Sequence, residues 1–74
     1  MEVVVYTKTK SRCVQCDATI RALKKHQIPF VTKAVEDHLE EALAVVPDAL
    51  TAPIVVVDGR GWSGYRPTLI EELA

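Results

Sequence analysis

The sequence predicts a small α/β domain with a mixed four-stranded sheet flanked by helices, in the order β-α-β-α-β-β-α, and three observations predict it. Apolar, β-branched runs at Val3–Tyr6 and Ile54–Val57 lack alternation, the mark of strands covered on both faces. Between them the apolar period turns helical, first from Val14 to about Gln27 and again from Leu39 to Val46. A β-α-β beginning must cross over right-handed, which makes the first two strands parallel, whereas Asp58-Gly59 signals a hairpin at the end.

Each element follows from its residues. Glu2–Thr7 is the first strand, and the polar, basic stretch Lys8–Arg12 is a loop. In the first helix Val14, Ala18 and Ala22 step by four with Ile20 and Leu23 beside them, predicting the apolar face. Lys24 and Lys25 suit its C-terminus, and Pro29 disfavours helical geometry at Ile28, which predicts the stop. Phe30–Val35 is a second strand interrupted by Lys33. Asp37 with Glu40 three residues on predicts an N-cap, and Leu39, Ala42, Leu43 and Val46 form one face of a short helix closed by Pro47. Gly61–Ser63 pairs back on Ile54–Val57, and Pro67–Ala74 has room for two helical turns. That helix starts either with Pro67 at the first position or with a Thr68/Glu71 capping box.

The chain has 74 residues, which predicts one domain spanning 1–74. Nine Lys+Arg against ten Asp+Glu leave a net charge of −1, which argues against a nucleic-acid binder. No apolar run approaches a membrane span, and Glu2 stands where a signal peptide would be positive, so the expectation is a cytoplasmic protein. A monomer is expected, with no contact to membrane or nucleic acid.

The two cysteines, Cys13 and Cys16, stand at C-x-x-C spacing where the first loop becomes the first helix. A bridge between them closes a tiny loop and adds little stability, so chemistry is the better reason for the pair. A helix N-terminus presents free N–H groups and partial positive charge, and Lys10 and Arg12 add more. Such surroundings lower a thiol pKa from about 8.5 toward roughly 3.5–7.5. Cys13 is the more exposed, attacking thiol, and Cys16, one turn on, can resolve a mixed disulfide. As a zinc site the chain would read C-x2-C-x9-H-x11-H with His26 and His38, far from zinc-finger spacing. Both histidines read as solvated helix-end residues, and Asp17 as a first-turn acid that stabilises the helix.

Two further segments stand out. Thr51-Ala52-Pro53 leads the third strand, and its X-Pro bond could be cis or trans on sequence physics alone. Trp62-Ser63-Gly64-Tyr65-Arg66-Pro67 holds the only Trp, and nothing in it announces a reaction by itself.

Taken together, Cys13-Val14-Gln15-Cys16, Thr51-Ala52-Pro53 and Trp62–Pro67 resemble the NrdH-type redoxins, which are glutaredoxin-like in sequence and thioredoxin-like in activity. The likeness runs from Val3 to Ile70. It implies a thioredoxin/glutaredoxin-like fold with sheet order 2-1-3-4 and the third strand antiparallel to the first. It implies a dithiol–disulfide oxidoreductase that takes electrons from NADPH-dependent thioredoxin reductase and reduces the active-site disulfide of class Ib ribonucleotide reductase. Cys13 and Cys16 would be catalytic, with no cofactor and no metal beyond that pair. Arg12, Val14, Gln15, Thr51, Ala52, Pro53, Trp62, Ser63, Gly64 and Tyr65 would meet the partner, and Ala52-Pro53 would be cis. Glutaredoxins proper resemble C-P-Y-C and hold glutathione with a Gly-Gly turn. Here Val14-Gln15 and Trp62-Ser63-Gly64 replace those features, so the expected reductant is a protein. Competing readings are a glutathione-dependent glutaredoxin, a metal- or cluster-binding module, and a binding subunit that only borrows the fold. The chain departs from the family pattern in a longer, more basic Lys8–Arg12 loop, in Thr68 after Arg66-Pro67, and in showing no obvious acid at the end of the second strand, where Lys33-Ala34-Val35 stand.

Overall fold

The computed structural model describes all 74 residues. The chain runs β1 (Val3–Thr7), α1 (Val14–Lys25), β2 (Val31–Ala34), a 3-10 turn (Val35–Asp37), α2 (Leu39–Val45), β3 (Ile54–Val57), β4 (Arg60–Ser63) and α3 (Pro67–Leu73). The sheet order is β2-β1-β3-β4, with β1 parallel to β2 and antiparallel to β3, as the family resemblance implies. β3 and β4 form the expected hairpin, with Asp58 and Gly59 both at positive φ in its turn. At Gly61 a side chain would collide with the Val55 carbonyl oxygen, so β4 admits no larger residue there. No helix is long and apolar enough to cross a membrane.

The alternation of β1 divides the core. Val3 and Val5 join Leu23, Ile28, Val55 and Ile70 beneath α1 and α3, whereas Val4 and Tyr6 join Ala42, Val46 and Ile54 beneath α2. Covering both faces of a strand explains why β1 reads as an unbroken apolar run.

The structure corrects four local expectations. The buried stripe of α1 is Cys16, Thr19 and Leu23, while Val14 is 68% exposed and Ala18 and Ala22 are only half-buried. A threonine hides that stripe from an apolar count. The helix also ends at Lys25, before Pro29 can act: Gln27 adopts φ 57°, its N–H donates to Lys24 O and the Ile28 N–H donates to Leu23 O. This is a Schellman stop, sealed by the packing of Ile28 with Leu23 in one core. Asp37 does not cap α2; it lies in the 3-10 turn, and His38 takes the cap position without a side-chain cap bond. His38 is not simply solvated, because its Nδ1 lies 2.8 Å from Glu41 Oε1. Of the two possible starts for α3, Pro67 holds the first turn.

Candidate functional site

β1 ends, the loop Lys8–Arg12 follows, and Cys13 becomes the N-cap of α1. Its extended backbone turns the side chain over the helix end, so the Cys16 N–H donates to Cys13 Sγ at 3.2 Å and the Asp17 N–H to Cys13 O at 3.1 Å. A sulfur thereby takes the role that Ser or Asp oxygen usually plays at an N-cap. The same donor would stabilise a thiolate on Cys13. Cys13 and Cys16 are joined in a disulfide, Cα–Cα 5.2 Å. Cys13 is half-buried and Cys16 only 2% exposed, the expected division between an accessible and a recessed sulfur.

Hydrogen bonds tie the three sequence segments into one surface. Cys13 Sγ lies 3.9 Å from Ala52 O, a van der Waals approach, since a disulfide sulfur carries no proton to donate. Ala52-Pro53 is cis. The Gly64 N–H donates to Pro53 O at 2.7 Å, and the Tyr65 N–H to Gln15 Oε1 at 3.0 Å. Gly64 sits at φ 83°, and a side chain there would crowd Gln15 Oε1, so both its conformation and its position call for glycine. Arg66 Nε donates back to Ser63 O at 3.3 Å, fastening the turn into α3.

The expected site residues are not all alike in this geometry. Val14 and Gln15 lie between the two cysteines and Ala52 O approaches Cys13 Sγ, whereas Gly64 and Tyr65 are bonded to Pro53 and Gln15; Pro53 is fully buried, and Arg12 and Thr51 are exposed. The Trp62 ring instead packs on the α1/α3 core, and its buried Nε1 has no hydrogen-bond partner. An open cleft of about 520 Å³ runs along Gln15, Thr51, Ser63, Gly64, Tyr65 and Arg66.

Two residues escaped the sequence reading. Leu50, just before Thr51, is 94% exposed, and no sequence signal marks a loop leucine as surface. Glu36 is the acid that was not obvious near the end of β2. It lies one residue past Val35 and accepts from Thr9 N–H at 3.0 Å, Lys10 N–H at 3.2 Å and Thr9 Oγ1 at 3.2 Å. Hydrogen bonds from its own N–H and from Thr9 and Lys10 hold the Glu36 pKa down to about 2. The long basic loop is therefore fastened to the 3-10 turn by one carboxylate. Elsewhere no three His, Cys, Asp or Glu side chains gather as a metal-binding group.

The chain is similar to known proteins over most of its length. The glutaredoxin family model matches residues 3–62. The glutaredoxin-like protein NrdH of Escherichia coli K12 is 34% identical over 74 residues, covering 99% of this chain and 89% of the relative. That of Lactococcus lactis subsp. cremoris is 30% identical over 73 residues, covering 97% and 99%. The solved structure of the E. coli NrdH-redoxin, described as glutaredoxin-like with a thioredoxin-like activity profile, superimposes with TM-score 0.83 at 33% identity over 100% of this chain and 96% of that one. An Archaeoglobus fulgidus glutaredoxin shares the fold at TM-score 0.79 and 20% identity, covering 96% and 83%.

Proposed function

This chain belongs to the glutaredoxin family and, within it, to the NrdH-type redoxins, which makes it a thiol–disulfide oxidoreductase of thioredoxin-like fold; we propose that it carries electrons from an NADPH-dependent thioredoxin reductase to the active-site disulfide of a class Ib ribonucleotide reductase. The observation that carries the choice of a protein reductant is the bond from Tyr65 N–H to Gln15 Oε1. With Gly64 N–H already donated to Pro53 O, two backbone donors of the loop are engaged inside the protein. In glutaredoxins a glycine pair stands in that region and serves glutathione. Here a small anionic thiol finds those two donors taken, whereas a protein partner can dock across the exposed rim of Val14, Leu50 and Tyr65.

The reaction needs only the cysteine pair, without metal or organic cofactor. In the reduced protein the Cys13 thiolate, held at the α1 N-terminus by the Cys16 N–H, attacks a partner disulfide and releases one partner sulfur as thiolate. Cys16 then loses its proton and attacks Cys13 Sγ, forming the intramolecular disulfide and releasing the second partner sulfur. Two electrons pass to the partner, and NADPH returns them through the reductase. Arg12, Val14, Gln15, Thr51, Ala52, Ser63, Gly64 and Tyr65 form the surface that meets the partner, with the buried Pro53 and the core-packed Trp62 supporting it from beneath. A cytoplasmic monomer fits this role.

The test is a pair of coupled assays on an insulin disulfide. NADPH with thioredoxin reductase should support turnover, and NADPH with glutathione and glutathione reductase should not. The reverse pattern would make the chain a glutathione-dependent glutaredoxin. Cys13→Ser should abolish turnover, and retention of activity would remove Cys13 from the mechanism. Reduction of a class Ib ribonucleotide reductase by the wild-type protein, read as deoxyribonucleotide formed, then checks the acceptor.

A further inference from the structure

We propose that the Thr19 hydroxyl donates a hydrogen bond to the Cys16 sulfur once the disulfide opens, and so speeds the second half of the exchange. The inference rests on the disulfide-exchange reading above and extends it to a residue outside the C-x-x-C motif.

Thr19 follows Cys16 by three residues on α1, and both belong to the buried stripe of that helix. Helical side chains lean back over the preceding turn, which brings the Thr19 branch toward Cys16. Thr19 is 0% exposed, and its Oγ1 is one of two buried side-chain polar atoms without a hydrogen-bond partner. A buried, unpartnered hydroxyl is destabilising, and valine would fill the same shape without it. The oxidised fold therefore gives the hydroxyl no structural reason to be there.

The reduced state supplies one. In the disulfide each sulfur is bonded to the other and bears no charge. When that bond is broken, Cys13 keeps the Cys16 N–H as donor, but the Cys16 sulfur, in a residue only 2% exposed, is shielded from solvent and accepts no hydrogen bond. Burial disfavours the thiolate that Cys16 must become before it attacks. A helical threonine has two accessible χ1 wells, so its hydroxyl can turn without moving the helix. In the step concerned, Cys13 attacks the partner disulfide and the first partner sulfur leaves as thiolate. That thiolate takes the Cys16 proton. The Cys16 thiolate, hydrogen-bonded by Thr19, attacks Cys13 Sγ; the Cys13–Cys16 bond forms, the Cys13–partner bond breaks, and the second partner sulfur leaves with the electron pair.

The experiment is a single turnover of the reduced full chain with bis(2-hydroxyethyl) disulfide, quenched in acid and read by mass spectrometry, which resolves formation and decay of the mixed disulfide on Cys13. Thr19→Val should form the mixed disulfide at the wild-type rate and resolve it about tenfold more slowly, the scale of a lost hydrogen bond to a developing anion. Thr19→Ser should restore resolution, and Thr19→Ala should match Thr19→Val, guarding against a packing artefact in either. Wild-type resolution in both hydroxyl-free variants would overturn the proposal. An equal slowing of both steps, or no rescue by Ser, would show a structural role and also overturn it. Failure of the wild-type chain to form any Cys13 mixed disulfide would instead sink the exchange reading itself.

Discussion

The two faces of the sheet are built on different chemistry. Under α1 and α3 the core is apolar but for the buried Thr19 hydroxyl and Trp62 Nε1, and Leu23, Val5, Val55 and Ile70 are completely buried there. Under α2 the core is smaller, its helical contribution is Ala42 with Val46 just beyond the helix, and its Tyr6 reaches outward to Glu41 Oε2 at 2.7 Å. The Lys33–Glu41 salt bridge lies on that side, and His38 Nδ1 lies 2.8 Å from the same Glu41 carboxylate. α2 has only seven residues, too few to stand alone, so tertiary contacts hold it. Cys16 thus rests on the dry side, and the loop leading to Cys13 is fastened by Glu36 from the polar side. One face gives the buried sulfur a rigid bed, and the other sets the approach to the exposed sulfur.

Cutting into each core should expose this difference most strongly. Leu23→Ala removes a fully buried side chain and should cost about 3–4 kcal/mol of stability in urea unfolding. Val46→Ala, at 6% exposure beside a helix end, should cost about 1–2 kcal/mol. Equal losses would mean that the two faces support the fold alike and that the contrast is only one of composition.

A smaller effect separates the faces by pH. Burial first, and then the hydrogen bond and charge of Glu41, raise the Tyr6 pKa from 10.0 to about 12. The folded state thus prefers the neutral phenol. Its contribution is whole below pH 10 and is lost as the pH rises toward 12. Wild-type stability should therefore fall across that window, and Tyr6→Phe should flatten the fall while costing less at neutral pH than Leu23→Ala. An unchanged alkaline slope in Tyr6→Phe would remove Tyr6 as its source.

Much of this was legible in the sequence, for physical reasons that differ by element. Val3–Tyr6 and Ile54–Val57 are buried on both faces, so their composition alone marks them, and Cys13, Cys16, Gln15, Gly64 and Tyr65 were found because their types and order form a motif. Apolar spacing misplaces the buried face of α1 because a hydroxyl residue, Thr19, occupies its centre. The sequence points to Pro29 for the end of α1 because a left-handed Gln27 carries no glycine to announce it. Glu36 carries no sequence signal because it sits outside the strand, and only the fold brings it across to Thr9 and Lys10. Local order can be read from spacing, whereas a long-range clamp needs the coordinates of both ends.

The Glu36 clamp carries the smallest expected effect on stability and the most local one. Its carboxylate is exposed, so its value lies in where it holds the loop and not in the global fold. The Glu36 pKa is depressed from 4.5 to about 2, which means that the charged form is the one the folded loop binds. The fastening is complete above about pH 4.5 and is lost as the pH falls toward 2. Glu36→Gln keeps an acceptor oxygen but removes the charge that strengthens each bond. It should speed hydrogen exchange at the Thr9 and Lys10 amides at neutral pH, while the urea midpoint stays within error of wild type. The wild-type protein should show the same faster exchange at those two amides, relative to the β1 strand, when acidified below pH 4. Unchanged amides in Glu36→Gln would mean that the loop holds its own shape. A fall in the urea midpoint as large as that of Val46→Ala would mean that the polar face carries the fold as well as the loop, and the division of labour between the two faces would fail.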